Sequence, residues 1–387
     1  MVTRLLLVME EVKCGGAEIS FFTLSRALSS RCEVHLALSR ASLEQPTIQQ
    51  LSNSLSNTRV TLHACSAALN QGTLTNLHRG LRGTAAGELA SLVRRVRPET
   101  ILVNLPTVER GQAVVDAAAL VTPRPPVWGF LHLTQPPSII GAKLGRIRDL
   151  TVAPLLRRFD RLLAVSQAGA QELSQRYCLE AAGIVYPPTD VLAPLSPETD
   201  RAKLRKAQRL PETRLVGLVG RIQIHHKGHD VALRTLRRLQ DNGSPVHLVV
   251  IGEGPDRRVL ERLAEQLGIA PAISFLGWRN DVEQLIPLLD AVIIPSRYEG
   301  LPQVAIQAAT AHVPIVGYAV GGLAELVPPE FTVPHGDEEG LAVALSTLLG
   351  NPDSWPARQM AQRALSWCDP HRAADRVLAL LNDSTPR

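Results

Sequence analysis

Aromatic side chains are scarce in this chain of 387 residues: Phe, Trp and Tyr make up 4% of it, and none occurs from residue 40 to residue 127. That stretch therefore has no aromatic belt to seat it in a membrane interface. Lysine is scarce too, with five among the 41 basic residues. The arginines that replace it are dispersed and not interleaved with aromatics, which argues against a nucleic-acid groove. The five cysteines (Cys14, Cys32, Cys65, Cys178, Cys368) are far apart and form no CxxC pair. A disulfide framework or zinc ribbon is excluded, and a reducing cytoplasm fits. No apolar run approaches the ~18 residues of a membrane-spanning helix. The opening apolar stretch ends at Glu10 and Glu11. It is too short for a signal-peptide core and reads as a buried first strand.

What is present is ordinary globular material, 45% hydrophobic and 20% charged, with a net charge of +5. That charge leaves a site for an anionic small molecule open. At about 150 residues per domain the length predicts two domains. Short β-like runs alternate with helical patterns. LLLVME, EVHLALS, ETILVNL, PVWGFLHL and RLLAVS lie in the first half; RLVGLVG, HLVVIGEG, AISFLGW, AVIIPS and PIVGYAV lie in the second. Two such sets predict an α/β protein of two doubly wound, Rossmann-like domains with parallel sheets. The proline-rich segment 185–200 reads as the connector. It sets an N-terminal domain at 1–188 and a second domain at 189–365. Residues 366–387 follow as a helix opened by Asp369 and Pro370. RAKLRKAQRLPE, after the connector, reads as an exposed charged helix.

Ligands of open parallel sheets bind outside the carboxyl ends of the strands, so the loops after strands carry the chemistry. In CGGAE, Gly15 and Gly16 permit close backbone approach and positive φ, and a helix behind them would offer free amides to an anion. A tight turn is the other reading. In VGRIQIHHKGHD, Arg221 and Lys227 can converge on one diphosphate, Arg through its fork and Lys as a point charge. His225 and His226 lack carboxylate neighbours and make poor metal ligands. In PSRYEGLPQVAIQA, Glu299 lies in a turn after a buried strand, and Pro302 fits the first helical position. The amides of Gly300 and Leu301 would then sit at the helix N-terminus. Gln303 and Gln307 share one helix face.

Taken in order, GGAE, GR-x5-KG, VIGEGP, FLGW-x2-DV and PSRYEGLPQVAIQA resemble the retaining glycosyltransferases of family 4 (glycosyl transferases group 1). The resemblance covers most of the chain and is strongest from about Leu215 to Glu325. It implies the GT-B fold, with a cleft between an N-terminal acceptor domain and a C-terminal nucleotide-sugar donor domain, and a last helix crossing back to the N-terminal domain. It implies that Arg221 and Lys227 grip the donor diphosphate and that Glu299 contacts the donor sugar. Gly15 and Gly16 become the N-domain loop facing the diphosphate, and His132 the histidine beside the transferred sugar. A satisfied histidine at a strand end is the other reading of His132. Ser166 matches a family serine. Gly277, Trp278 and Arg279 are the candidate surroundings of the nucleobase. The family's second glutamate, on the nucleotide ribose, falls on Gln307. An amide offers one acceptor and two donors where a carboxylate offers acceptors only.

The function implied is transfer of a sugar from a nucleoside-diphosphate donor (a GDP- or UDP-sugar) to a small soluble acceptor with retention. No Asp-x-Asp sequence occurs, in keeping with a metal-independent site, and no cofactor is implied beyond the nucleotide-sugar substrate. The arginine bias and the departure at Gln307 suggest actinobacterial natural-product biosynthesis, of the aminocyclitol or lincosamide type. The acceptor candidates are Glu10, Glu11, Glu109, Arg110, Trp128 and Gln135, in or beside N-domain loops. A lipid- or polysaccharide-directed transferase and a degenerate nucleotide-sugar binding protein remain as alternatives. The stripe Leu77, Leu81, Leu89, Leu92, Val96, with arginines around it, reads either as a membrane-seeking helix or as a core-facing one; a membrane partner is the less favoured.

Overall fold

Runs such as LLLVM and ILVNL are apolar at every position because their strands are covered on both faces. The computed structural model describes residues 2–10, 14–65, 79–196 and 198–383, with the side chains of 79–84 not described. Two units emerge: Met1–Thr189 with Trp367–Arg387, and Asp190–Ser366.

The first unit holds β1 (Arg4–Met9), β2 (Glu33–Ser39), β3 (Val60–Cys65), β4 (Thr100–Leu105), β5 (Val127–Leu131), β6 (Arg161–Ala164) and β7 (Gly183–Ile184). Their order in the sheet is β3-β2-β1-β4-β5-β6-β7, and every pairing is parallel. Alternate residues of β1 enter opposite cores, as the two-residue period of a strand requires. Leu5, Leu7 and Met9 join Phe21, Phe22 and Leu24 of the helix Gly16–Leu28, whereas Leu6 and Val8 join Leu89, Val93 and Val114. The first of these cores is completed by Ala373, Ala374, Val377 and Leu381 of the helix Pro370–Asn382. Asp369 caps that helix, accepting from the amide of Arg372 at 2.8 Å.

The second unit holds β8 (Arg214–Val219), β9 (Val246–Ile251), β10 (Ile273–Gly277), β11 (Ala291–Ile294), β12 (Ile315–Tyr318) and β13 (Thr332–Val333). The order is β10-β9-β8-β11-β12-β13, again parallel. Each sheet reverses direction of growth once, between β1 and β4 and between β8 and β11.

Three strands were not legible: β3, β7 and β13. β3 is an edge strand whose side chains mostly face outward, and β7 and β13 are two residues each. The helix Arg201–Ala207 is not simply an exposed charged one. Arg205 is buried, donating to the carbonyl of Leu288 and to Asp290. In the helix Arg79–Val96 the side chains of Leu89, Leu92 and Val96 are buried, so the stripe faces the core there. Leu77 lies outside the described residues, as does the side chain of Leu81. Among the described residues no helix is long and apolar enough to cross a membrane.

Candidate active site

In the second unit the site grows from the two loops that leave β8 and β11, either side of the switch in strand order. After β8 come Arg221, the short helix Ile224–Lys227 and Gly228, whose φ of +65° hands over to the helix His229–Asp241. After β11 come residues 295–302 and the helix Gln303–Thr310. The loops are fastened at several points. The amide of Arg297 donates to the carbonyl of His226 at 2.8 Å, and its guanidinium donates to the carbonyl of Ile224 at 2.6 Å. Two further bonds, at 3.2 and 3.0 Å, reach Asp230, which Arg234 also holds at 2.9 Å. The His226 ring lies flat on Tyr298, 4.2 Å between centroids and 7° between planes. Its Nε2 is 3.1 Å from the Tyr298 carbonyl, which can only accept, so Nε2 carries the proton. Burial first, then the charge of Lys227, pushes His226 down to about 4.

This fastening brings Lys227 and Glu299 together: Nζ donates to Oε1 at 2.6 Å. Glu299 is 6% exposed. Burial works to raise its pKa, but the charge of Lys227, that of His226 and hydrogen bonds from Lys227 and Ser296 outweigh it and hold the carboxyl below its ordinary value. An ammonium has three donors, so Lys227 keeps two for another anion. Arg221 is exposed and, among the described residues, makes no ion pair. The pair expected to act alike is thus unlike: Lys227 is held and Arg221 is unengaged.

Pro302 is not the first helical residue. It stands at the cap with ψ of 127°, and the helix starts at Gln303. Leu301 precedes a proline and is steered away from helical backbone. The amides of Gly300 and Leu301 therefore lie ahead of the helix N-terminus. Gln307 lies half-buried on that helix one turn beyond Gln303, whose Nε2 is buried without a partner among the described residues. Gly277 ends β10 at φ +69°. Trp278 follows, exposed, its indole N–H donating to Asn280 at 2.9 Å. Arg279 is bonded to Asp281 and Gln208.

In the first unit neither Gly15 nor Gly16 has positive φ; Gly15 is extended and caps the helix. Its amide is not offered to an external anion, because Glu18 takes it through Oε2 at 2.9 Å. Buried Glu18 also faces Asn104, whose amide is 3.4 Å from Oε1. His132 follows β5, with its ring edge-on to Phe130 at 4.8 Å. Burial pushes it down to about 3, and Nε2 has no hydrogen-bond partner among the described residues. Ser166 is a helix cap, accepting from the amide of Gly169 at 3.0 Å.

The acceptor candidates divide. Trp128 is corrected outright: it lies within β5, 3% exposed, among Leu102, Leu163 and Val185, so it is a packing residue. Glu109 is buried and held by Arg148, with Nε 2.9 Å from Oε1. Glu10, directly after β1, accepts from the amide of Gly111 at 2.8 Å. Arg110 is half-buried in the same turn. Gln135 is buried beside Glu172. Glu11 lies outside the described residues. Sequence reasoning missed Arg297, His226 and Tyr298 as the fastening of the second-unit loops; the run Arg297-Tyr298-Glu299 was the available signal.

The model described as Glycosyltransferase Family 4 matches residues 14–191, and that described as Glycosyl transferases group 1 matches residues 213–351. A 2-deoxystreptamine glucosyltransferase of Streptomyces kanamyceticus is 29% identical over 217 residues, 51% of this chain and 56% of the relative. A D-inositol 3-phosphate glycosyltransferase of Mycolicibacterium gilvum is 35% identical over 208 residues, 51% of this chain and 42% of the relative. The chain spans about half the length of the curated relatives it matches. Among solved structures, Anabaena HepE in complex with UDP and glucose superposes with a TM-score of 0.76 at 21% identity, covering 99% of this chain and all of that one. That likeness is one of fold.

Proposed function

Since the chain belongs to the family 4 glycosyltransferases (glycosyl transferases group 1) and has the GT-B fold, we propose that it moves a sugar from a nucleoside diphosphate, UDP or GDP, to a small acceptor. The observation that carries this reading is the 2.6 Å pair of Lys227 and Glu299 at the switch between β8 and β11, with Arg221 in the same loop as Lys227, exposed and without an ion pair among the described residues. An open parallel sheet binds its ligand at such a point. The second unit is then the donor unit and the first the acceptor unit.

The chemistry follows from charge. As the bond from the anomeric carbon to the diphosphate oxygen breaks, its electron pair goes to that oxygen. Lys227, through its two remaining donors, and Arg221, through its fork, stabilise the charge there. These cations do the work that a metal ion does elsewhere. Glu299 orients the sugar by accepting from its hydroxyls. The acceptor oxygen bonds to the same face of the anomeric carbon, giving retention, and its proton passes to the departing phosphate oxygen. Gln307 binds the ribose, and the loop of Gly277 and Trp278 lies beside the base. His132, neutral at pH 7, is a candidate substrate contact of the first unit. The names of the relatives support a cyclitol acceptor, and their source organisms an actinobacterial pathway.

A lipid-linked acceptor is the second reading. The helix Gly145–Leu156 turns Ile147 and Leu150 outward, the latter 79% exposed, with Lys143, Arg146 and Arg157 also exposed. Cosedimentation with anionic vesicles tests it, and no binding removes it.

The donor reading is tested by thermal-shift titration with UDP, GDP, dTDP and ADP. A ligand that binds only the folded chain, at ~100 times its Kd, stabilises by roughly 2.7 kcal/mol. No shift with any of the four overturns the assignment of Arg221 and Lys227.

A further inference from the structure

Gln135 is 7% exposed, yet its side-chain oxygen has no hydrogen-bond partner among the described residues. Its nitrogen is fully committed: Nε2 donates to the Glu172 carboxylate at 3.0 and 3.3 Å. A carboxylate accepts and does not donate, so this amide cannot be turned round. The nitrogen must face Glu172 and the oxygen must face away. Glu172 is itself fixed, accepting from the hydroxyl of Thr134. Tyr177, on the helix Gln167–Tyr177, donates to the Thr134 carbonyl at 2.8 Å.

Buried polar groups are nearly always hydrogen-bonded. Here the atoms behind the Gln135 amide are matched and the atom in front of it is not. Three residues earlier, the Nε2 of His132 is likewise buried and unmet. Both lie in the segment that leaves β5, at the carboxyl end of a parallel sheet, where ligands of such sheets bind.

We propose that Gln135 Oε1 is a contact for the acceptor substrate, that it receives a hydrogen bond from a hydroxyl or ammonium group on a small polyhydroxylated ring, and that Glu172 is the positioning residue that fixes the amide. The proposal rests on reading the chain as a glycosyltransferase. It defines a rule of selection. A group aimed at Gln135 must donate; an ether, carbonyl or phosphate oxygen is refused, because two acceptors would meet in a buried site.

The test is calorimetric titration of the full chain, with and without UDP, using 2-deoxystreptamine (ammonium and hydroxyl groups) and myo-inositol (hydroxyls alone). Wild type, Gln135→Met and Glu172→Gln are compared, with melting curves for each. Wild type is expected to bind at least one ring. Gln135→Met is expected to weaken it about tenfold while leaving UDP affinity unchanged. The Nε2 bonds to Glu172 are lost with the amide, and their loss alone can lower the melting temperature, so UDP binding is the control for the fold. Glu172→Gln keeps the packing but supplies a donor, lets the Gln135 amide turn, and weakens binding in the same sense. Loss confined to 2-deoxystreptamine identifies an ammonium; loss on both rings identifies a hydroxyl. Unchanged ring affinity in Gln135→Met, or a loss of UDP affinity alongside the loss of ring affinity, overturns the proposal. Absence of ring binding while UDP binds overturns it and leaves the donor reading standing. Absence of UDP binding strikes the donor reading alone, and the titrations without UDP then decide this one.

Discussion

Gly228 lies against Pro295 so closely that a Cβ at position 228 would overlap the Pro295 carbonyl oxygen. The contact seats the turn after Lys227 on the end of β11, and from there Lys227 reaches Glu299. Glycine is required twice, for this approach and for its φ of +65°. Gly228→Ala is expected to cost more than about 1 kcal/mol of stability. It should also weaken UDP binding, because the ammonium is carried away with the turn. Denaturant unfolding and nucleotide titration read the two effects, and a variant normal in both would mean the turn does not set the site.

Arg221 and Lys227 should separate in one experiment. Arg221→Ala removes an exposed side chain with no ion-pair partner among the described residues. Stability should stay within about 0.5 kcal/mol of wild type. Turnover should fall by ~10²–10³, the cost of removing one preorganised donor to the developing charge. Lys227→Ala leaves the Glu299 carboxylate buried without its cation, and should cost about 3 kcal/mol of stability as well. If the two variants unfold at the same denaturant concentration, the 2.6 Å pair is not holding the loops together.

Acid should weaken the fold in a window set by histidine. His229 is 0% exposed, with both ring nitrogens unpartnered among the described residues, and burial, then the charge of Lys227, pushes it down to about 4 from 6.5. Between those values the unfolded chain binds a proton that the folded chain refuses, so stability rises with pH. The contribution is whole above about pH 6.5 and is lost as pH falls towards 4. Glu299 and Asp230, both held below their ordinary values, add losses only at lower pH. Melting curves from pH 7.5 to pH 4.5 should be flatter for His229→Leu; an identical slope would place the titration elsewhere.

Gln307→Glu is expected to tighten nucleotide binding by about five- to tenfold, the difference between a charge-assisted and a neutral hydrogen bond to a ribose hydroxyl. Calorimetry with UDP measures it. No change would mean that residue 307 does not touch the ribose.

The central strands were readable because burial on both faces leaves an uninterrupted apolar run, as in Leu5–Leu6–Leu7 or Val249–Val250–Ile251. β3 was not, because at the sheet edge VTLHAC turns most of its side chains to water and loses that signal. Residue types marked Arg221, Lys227 and Glu299 as candidates. The pairing of Lys227 with Glu299 was hidden, since the two meet only through a sheet pairing 72 positions apart in sequence. Trp128 shows the opposite failure. A tryptophan next to a candidate loop reads as a contact, and only the inward side of β5 reveals it as core. The Gly15 amide was misread because Glu18, which marks the helix start, also consumes the amide that a ligand would need.

The helix Pro370–Asn382 completes the core of a unit whose other residues precede position 190. Ribosomal synthesis runs in one direction, so the entire second unit emerges between the two parts of the first. Residues 190–366 are contiguous and can close as soon as they are made. Phe21, Leu24 and Leu28 must wait with their partners unbuilt. The half made first is thus finished last, and its uncovered apolar face is the surface a chaperone would meet on the nascent chain.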